Sequence, residues 1–454
     1  MDPVHAALIA VGLLLLLLAI RAPVALGLLV AGAVGLLLTD GFTIAEITLT
    51  RRSLEAVGRY VLIVIPFFLA MGVLVKESGI AQDLFAVAQR VFRRVPGGLA
   101  VATIFACSAF GAISGSSVAT VASIGRIAIR EMRALGYRVS VAAGAVGASG
   151  TLSVMIPPSI AMVLYGIVTG ESIGRMLIAG IVPGILTAVS YSIAVMARAA
   201  LRPAAFYATA TAGAGGSAGG NVSLDGSTNG SPRQLPYRSV IETAVLVTIV
   251  MGGIYTGFVT VVEAASLGAV AALVIFLLRR HRDAGARLRR LRTSLLETTQ
   301  LNAMTFLLLV GSGIFSYMLV SAGIPRDLAR FVASVDISPM LTVIILLVIF
   351  IPLGMFLDPI AMLLIAVPLT YPIAVTELGF DGIWYGILVV KMTELALITP
   401  PLGLNAFVIA GVSEDVTVED TFAGSLWYVP VDFAVIVLLF AFPGIVTWLP
   451  NLMM

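Results

Sequence analysis

The chain has 454 residues, of which 59% are hydrophobic and only 11% are charged, with a net charge of +3 and a mean hydropathy of +1.09. Soluble chains carry about 25% charged residues, so this composition excludes a water-soluble globular protein and predicts an integral membrane protein. The small basic excess gives no reason to expect nucleic-acid binding. The single cysteine, Cys107, excludes a disulfide within the chain, and we expect it to be a small buried residue.

Apolar runs of about membrane-crossing length, which is about 20 helical residues, recur along the chain. The first run has no basic residue before it and no small-residue cleavage site after it, so we interpret it as an uncleaved span rather than a signal peptide. The predicted spans are 5–20, 24–38, 60–75, 139–168, 173–197, 239–257, 261–278, 301–322, 382–411 and 424–448.

Stretches of different composition separate these runs. The segment 203–236 is rich in Gly and Ser and has too little apolar surface to fold, so we predict a flexible linker between residues 1–202 and 237–454. Amphipathic stretches that carry arginine could lie along the membrane interface or brace the spans. These stretches are 42–59, 80–94 and 283–300.

The two parts of the chain share landmarks at a nearly constant spacing, which indicates an internal repeat. The landmarks are Pro157-Pro158 with Pro400-Pro401, Gly136 with Gly379 and Gly115 with Asp358, each 243 positions apart, and Gly79 with Gly323, 244 positions apart.

The distribution of arginine favours an inverted repeat, because cytoplasmic loops collect Arg and Lys. The loops 198–238 and 279–292 are rich in arginine, and two spans separate them, so both should be cytoplasmic. With the N-terminus outside, the loop 39–60 also falls outside, and equivalent loops of the two halves then face opposite sides. We therefore predict an all-α membrane protein, a polytopic helical bundle with two inverted-topology repeats.

Two apolar regions, 97–133 and 338–376, are interrupted near their centres. In the first, Ser114-Gly115-Ser116-Ser117 separates two arms that are each short for a full crossing, which predicts a re-entrant helical hairpin with its tip at mid-membrane. In the second, Asp358 follows Gly354 and precedes Pro359, so it should cap the second arm. Such tips could bind a small cation or a charged solute. There is an alternative to binding at each tip. The small residues of the first tip could serve only for packing between helices, and Asp358 at the second tip could serve only as a helix cap.

Two spans contain a proline pair: Pro157-Pro158 within 139–168, and Pro400-Pro401 within 382–411. Proline removes a backbone hydrogen bond and frees carbonyl groups, so we predict a broken helix in each half, with a plain kink as the alternative. In the second span, Lys391 and Glu394 could pair at i,i+3. The polar candidates beside the breaks are Thr151, Thr399 and Asn405.

Inverted repeats with discontinuous helices are typical of secondary transporters, whose sites lie near the midplane of the membrane. The sequence contains no GxxxxGK[ST] nucleotide loop, no arrangement of a nucleophile with a base and no metal-ligand spacing of His or Cys. We therefore predict a transport protein rather than an enzyme.

Four runs, 110–125, 156–160, 354–365 and 399–405, together resemble the large membrane subunit of TRAP (tripartite ATP-independent periplasmic) transporters. The match covers nearly the whole chain in order. The resemblance implies an elevator-type, Na⁺-coupled importer of organic anions such as dicarboxylates or sialic acid, located in the bacterial inner membrane. It also implies two partners: a small four-span membrane subunit, which we expect as a separate chain, and a periplasmic substrate-binding protein.

The ion sites of that family lie at the hairpin tips and the unwound segments facing them. Carried onto this chain, the resemblance implies Na⁺ at Ser114, Ser116, Gly354 and Asp358, with Pro157 and Thr399. The full set of candidate ion-binding or substrate-binding residues is Ser114, Gly115, Ser116, Ser117, Thr151, Pro157, Pro158, Gly354, Asp358, Pro359, Thr399, Pro400, Pro401, Gly403 and Asn405.

The chain departs from the family pattern in two places. The linker 203–236 is longer and richer in glycine than expected, and Lys391 stands where an apolar residue is expected. Two other interpretations remain open: a stand-alone Na⁺–dicarboxylate symporter, and a membrane scaffold subunit of an enzyme complex.

Overall fold

A computed structural model describes residues 2–20, 22–208, 237–279, 284–334, 337–354, 357–400 and 403–453. All regular structure in these residues is helical, apart from one isolated β-bridge between Tyr137 and Tyr207. Most of the predicted linker lies outside the described residues. Residues 203–208, predicted as its start, instead contain a short helix, because Phe206 is buried and packs against Tyr137 with ring centroids 5.2 Å apart.

The described residues up to 208 form eleven α-helices. They are α1 Pro3–Ala19, α2 Val24–Val57, α3 Val64–Glu77, α4 Ile80–Phe92, α5 Gly98–Ser114, α6 Ser117–Ala134, α7 Val139–Met155, α8 Ile160–Thr169, α9 Ile173–Ala179, α10 Ile181–Leu201 and α11 Pro203–Phe206.

Thirteen helices follow in the described ranges. They are α12 Tyr237–Val247, α13 Gly253–Tyr255, α14 Val261–Leu278, α15 Ala284–Ser321, α16 Ile324–Ser334, α17 Pro339–Val348, α18 Phe350–Gly354, α19 Pro359–Tyr371, α20 Gly382–Ile398, α21 Leu404–Val412, α22 Val418–Ser425, α23 Val429–Ala441 and α24 Gly444–Met453. Short π-helical turns connect α12 to α13 and extend α19 to Glu377.

Seven helical segments of the described chain are long and apolar enough to cross a membrane, or nine if each of two bent pairs counts as one span. The bent pairs are α7 with α8 and α22 with α23. This architecture confirms the predicted all-α, polytopic membrane protein. Cys107 is fully buried, as expected.

Most of the described part of the amphipathic stretches 42–59 and 283–300 belongs to longer helices. The first continues α2 beyond a kink at Gly41, where φ is 77°. The second is the start of α15, a helix of 38 residues that continues into the predicted span 301–322. No proline interrupts α15, so its backbone hydrogen bonds continue across the predicted boundary. Helices α2 and α15 pack along each other.

The two halves show the same succession of elements around the predicted site. Helices α7 and α20 begin and end 243 positions apart, at 139–155 and 382–398. Each is followed by a break and a shorter helix, α8 or α21. Each is preceded by an interrupted hairpin: α5 and α6 before α7, and α17, α18 and α19 before α20, with the interruption between α18 and α19. These matched bounds agree with an internal repeat.

Small residues bring α7 and α22 into backbone contact. A Cβ atom built on Gly424 would lie 1.8 Å from Ser140 O and 2.8 Å from Gly144 Cα. Contacts this short do not occur in real structures, so only glycine fits there, as is common where membrane helices approach closely.

Replacing Gly424 with alanine should therefore push α22 away from α7. Overpacking of this kind costs about 1–3 kcal/mol, so we expect a clear fall in the melting temperature of the purified protein. Gly411→Ala is the matched control, because a Cβ there meets no atom within 4 Å. Equal melting temperatures for the two variants would contradict the tight contact.

Candidate functional site

The interruption at Ser114–Ser117 is a two-residue break between α5 and α6. Gly115 has φ +60°, which favours glycine, and Ser116 has an extended backbone. The Ser116 hydroxyl accepts a hydrogen bond from the Ala119 N–H at 3.4 Å and caps α6. The C-terminal end of α5 and the N-terminal end of α6 therefore meet at this tip.

Side chains tie the tip to α7 and to the break after it. The hydroxyls of Ser114 and Thr120 lie 3.0 Å apart, and Ser153 Oγ on α7 donates to Thr120 Oγ1 at 2.8 Å. Gly115 faces the proline pair: a Cβ on it would lie 2.7 Å from Pro158 O. The predicted hairpin tip and the predicted break of the first half are thus in direct contact.

The tip also contacts the second half of the chain. Ser117 Oγ donates to Asn405 Oδ1 at 2.9 Å, and Asn405 Nδ2 donates to Gly147 O on α7 at the same distance. Ser117 and Asn405 are both buried. One hydrogen-bonded chain therefore joins α6, α21 and α7.

The first broken helix is bent by 41° between α7 and α8. The peptide bond between Pro157 and Pro158 is cis. Ser159 caps α8 by accepting from the Met162 N–H, and its hydroxyl donates to Val154 O. Thr151 lies before the break, and its hydroxyl donates to Ala148 O within α7 at 2.8 Å.

The second interruption lies between α18 and α19. Asp358 caps α19, since its Oδ2 accepts from the Ile360 N–H at 3.2 Å, and Pro359 is the first residue of that helix. The capping role is confirmed, and an ion contact stays a prediction. Gly354 packs against α20, where a Cβ on it would lie 2.2 Å from Ala396 Cβ.

The second break follows α20. Thr399 Oγ1 donates to Leu395 O at 3.1 Å, and its backbone turns away from the helix at ψ 138°. Pro400 follows, Pro401 lies outside the described residues, and Gly403 precedes α21. The side-chain hydrogen bonds of Thr399 and Asp358 stay within or beside their own helices.

Sequence reasoning missed several members of this site. Thr120 sits at the centre of the first tip, where its hydroxyl also donates to Ser116 O at 2.9 Å. Its position four residues after Ser116, on the same helix face, is the signal that could have indicated it. No sequence pattern could have indicated Gly147, because it takes part through its backbone carbonyl group, which accepts from Asn405.

The predicted pair of Lys391 and Glu394 is confirmed, with Lys391 Nζ 2.6 Å from Glu394 Oε2. Asp432 on α23 is a further partner of Lys391, and Tyr191 on α10 donates a hydrogen bond to Asp432; neither contact was predicted.

A cavity of about 390 Å³ lies between α2 and α15 on one side and α8 and α19 on the other. Arg52 lies over the Tyr317 ring at 4.2 Å and pairs with Glu55, and Arg59 Nη1 donates to Ile167 O at 3.0 Å. The remaining polar lining residues are Ser312 and Ser316.

A helical bundle of this kind, with buried polar atoms gathered at interrupted hairpins and broken helices, defines the class of membrane transport proteins. Residues 11–445 match the family described as tripartite ATP-independent periplasmic transporter, DctM component. The chain belongs to this family: it is a TRAP transporter large permease subunit, a multi-pass protein of the bacterial inner membrane and not an enzyme.

Relatives of known name align with this chain over most of its length and of theirs. The C4-dicarboxylate TRAP transporter large permease protein DctM of Pseudomonas aeruginosa is 33% identical over 421 residues, 93% of each chain. The sialic acid large permease protein SiaM of Vibrio cholerae is 26% identical, covering 88% of this chain and 89% of that one. The Alcanivorax borkumensis YdaH transporter has a similar fold, with a TM-score of 0.62 at 15% identity, covering 97% of this chain and 98% of that one.

Proposed function

We propose that this subunit imports an organic anion, coupled to Na⁺, by an elevator movement of two inverted repeats. It works with a small four-span membrane subunit and a periplasmic substrate-binding protein. The observation that carries the proposal is the chain of hydrogen bonds from Ser117 through Asn405 to Gly147. This chain joins the first hairpin tip to helices of both halves, so an ion bound beside it would hold these elements together as one body.

Helix ends support the assignment of Na⁺ to the first tip. The last carbonyls of α5 have no partners within their helix, and the C-terminal end of a helix carries partial negative charge. The hydroxyls of Ser114 and Ser116 and the carbonyl of Pro157 add oxygen ligands of the kind that hard cations prefer. At the second tip, the equivalent ligands are Gly354, Asp358 and Thr399, and the Asp358 carboxylate supplies negative charge.

The names of relatives and the charge of the cavity support an organic anion as the substrate class. Relatives are named for C4-dicarboxylate, isethionate, sialic acid and 2,3-diketo-L-gulonate, all anions at neutral pH. Arg52 and Arg59 bring positive charge to the cavity, and guanidinium groups match carboxylates in geometry. We assign the anion's path to this cavity.

The same cavity supports the elevator movement. It separates α2 and α15, which pack along each other, from α8 and α19, which belong to the interrupted elements. In the proposed cycle, α2 and α15 stay fixed in the membrane while the hairpins and broken helices slide past them with Na⁺ and the anion.

Uptake into proteoliposomes tests the proposal. The subunit is reconstituted with the small membrane subunit, and C4-dicarboxylate or sialic acid uptake is measured with and without a Na⁺ gradient and the binding protein. We expect uptake only when both are present. Uptake without the binding protein would favour the stand-alone symporter, and uptake independent of Na⁺ would exclude sodium coupling.

Ser117→Ala and Asn405→Ala should each raise the Na⁺ concentration needed for half-maximal uptake by about tenfold, because each leaves a buried polar group without its partner. The double variant should be little worse than Asn405→Ala alone, since both single variants remove the bond between Ser117 and Asn405, and Asn405→Ala also removes the bond to Gly147 O. Thr447→Ala is the control, because its exposed hydroxyl donates only to Pro443 O, the residue just before its own helix α24. Fully additive effects would argue against a shared interaction.

A further inference from the structure

Three charged side chains meet in the interior of the bundle, and each has no exposed side-chain surface: Lys391 and Glu394 on α20 and Asp432 on α23. Lys391 Nζ lies 2.6 Å from Glu394 Oε2 and 2.6 Å from Asp432 Oδ1. Tyr191 on α10 donates from its hydroxyl to Asp432 Oδ2 at 2.5 Å. We call Lys391, Glu394, Asp432 and Tyr191 the α20 cluster.

The charges of the α20 cluster do not balance. One ammonium faces two carboxyl groups, so full ionisation would leave one negative charge in surroundings where an uncompensated charge is strongly unfavourable. No other charged group reaches the cluster from the described part of the chain. Helices α7, α17, α18, α21 and α24, which pack on α20, contain no ionisable side chain.

The ionisable side chains on the remaining neighbours are engaged elsewhere. Arg175 on α9 donates to Asn451, Tyr165 on α8 donates to Gly382 O, and Tyr371 on α19 donates to Glu171. Glu377, after α19, is exposed. Tyr428 stacks edge-on against Tyr191 and adds no charge.

The surroundings of the carboxyl oxygen atoms of Asp432 and Glu394 indicate what neutralises the extra negative charge. Asp432 Oδ1 lies beside Lys391 as an ion pair rather than an aligned hydrogen bond, and Glu394 Oε1 is buried without a hydrogen-bond partner. The Met155 backbone lies near Glu394 but makes no hydrogen bond of normal geometry with it. A metal ion needs several oxygen ligands, and the described residues contain no group of three or more His, Cys, Asp or Glu.

We propose that the α20 cluster binds one proton, carried by Glu394. With this proton the cluster is neutral, and α20 packs against α23 without an excess charge. When the proton leaves, the negative charge favours entry of water and loosens α20, the helix that ends at the second break. Uptake should then fall as the pH rises. The site is separate from the Na⁺ and anion sites proposed above.

Infrared spectroscopy of the purified protein in lipid tests the proton directly, whether or not transport is observed. The wild type at neutral pH should show the C=O stretch of a protonated carboxyl group that shifts in ²H₂O. Glu394→Gln should lose this band. Asp432→Asn should lose it as well, because one lysine and one carboxylate then balance without a proton, so either variant suffices if the other fails to fold. Glu297→Gln, whose carboxylate pairs with Lys76 near the surface, should keep it.

A band that persists in Glu394→Gln and Asp432→Asn, or its absence from the wild type, would overturn the proposal. Transport gives a second readout. Wild-type uptake should decrease at alkaline pH, whereas any uptake that Glu394→Gln retains should not vary with pH. Identical pH profiles for the two proteins would also overturn the proposal.

Discussion

Replacing Gly115 with alanine should reduce Na⁺-dependent uptake by about 100-fold or more. An L-residue at φ +60° costs about 1–2 kcal/mol, and the new Cβ would also lie 2.7 Å from Pro158 O. The tip must then move away from the broken helix, which separates the groups proposed to bind Na⁺. Because each 1.4 kcal/mol corresponds to tenfold in an equilibrium constant, the strain and the clash together account for a loss of this size.

Gly136→Ala is the matched control for this prediction. Gly136 also has positive φ, at 80°, but a Cβ there meets no atom within 4 Å. The backbone strain is similar, and only the contact with the proline pair differs. Measured as initial uptake rates in proteoliposomes, Gly136→Ala should keep most of its activity. Similar losses in both variants would show that the contact with Pro158 does not matter.

Lys391→Met should destabilise the protein by about 3–5 kcal/mol, because removal of the ammonium group leaves the Asp432 carboxylate buried without compensation. Thermal unfolding in detergent and the amount of folded protein in the membrane should both show the loss. Lys76→Met is the control, since Lys76 pairs with Glu297 at 2.6 Å but both side chains are about 30% exposed. That partly solvated pair should contribute no more than about 1 kcal/mol.

A triple variant, Lys391→Met with Glu394→Gln and Asp432→Asn, separates charge from packing. It removes all three ionisable groups while keeping similar volumes, so most of the lost stability should return. If the triple variant unfolded as readily as Lys391→Met alone, the shape of the lysine side chain rather than its charge would explain the loss.

The helix interruptions were predictable because their causes are local. Certain short sequences favour a helix break wherever they occur: a glycine that can adopt positive φ, an aspartate before a proline, and a proline pair. The breaks accordingly fall at Gly115, at Asp358 and at the residues after Met155 and Ile398. The boundaries within α2 and α15 were harder, because a change from amphipathic to apolar composition does not interrupt backbone hydrogen bonding.

The sequence by itself determined the membrane environment, the helical architecture and the places where helices break, since these depend on composition and on nearby residues. Only the tertiary structure decided which groups meet. Ser117 and Asn405 are 288 positions apart, and Asp432 reaches Lys391 from another helix. Periodicity gives the face of a helix but not its neighbour, and the neighbour is set by how small residues such as Gly144 and Gly424 allow helices to pack.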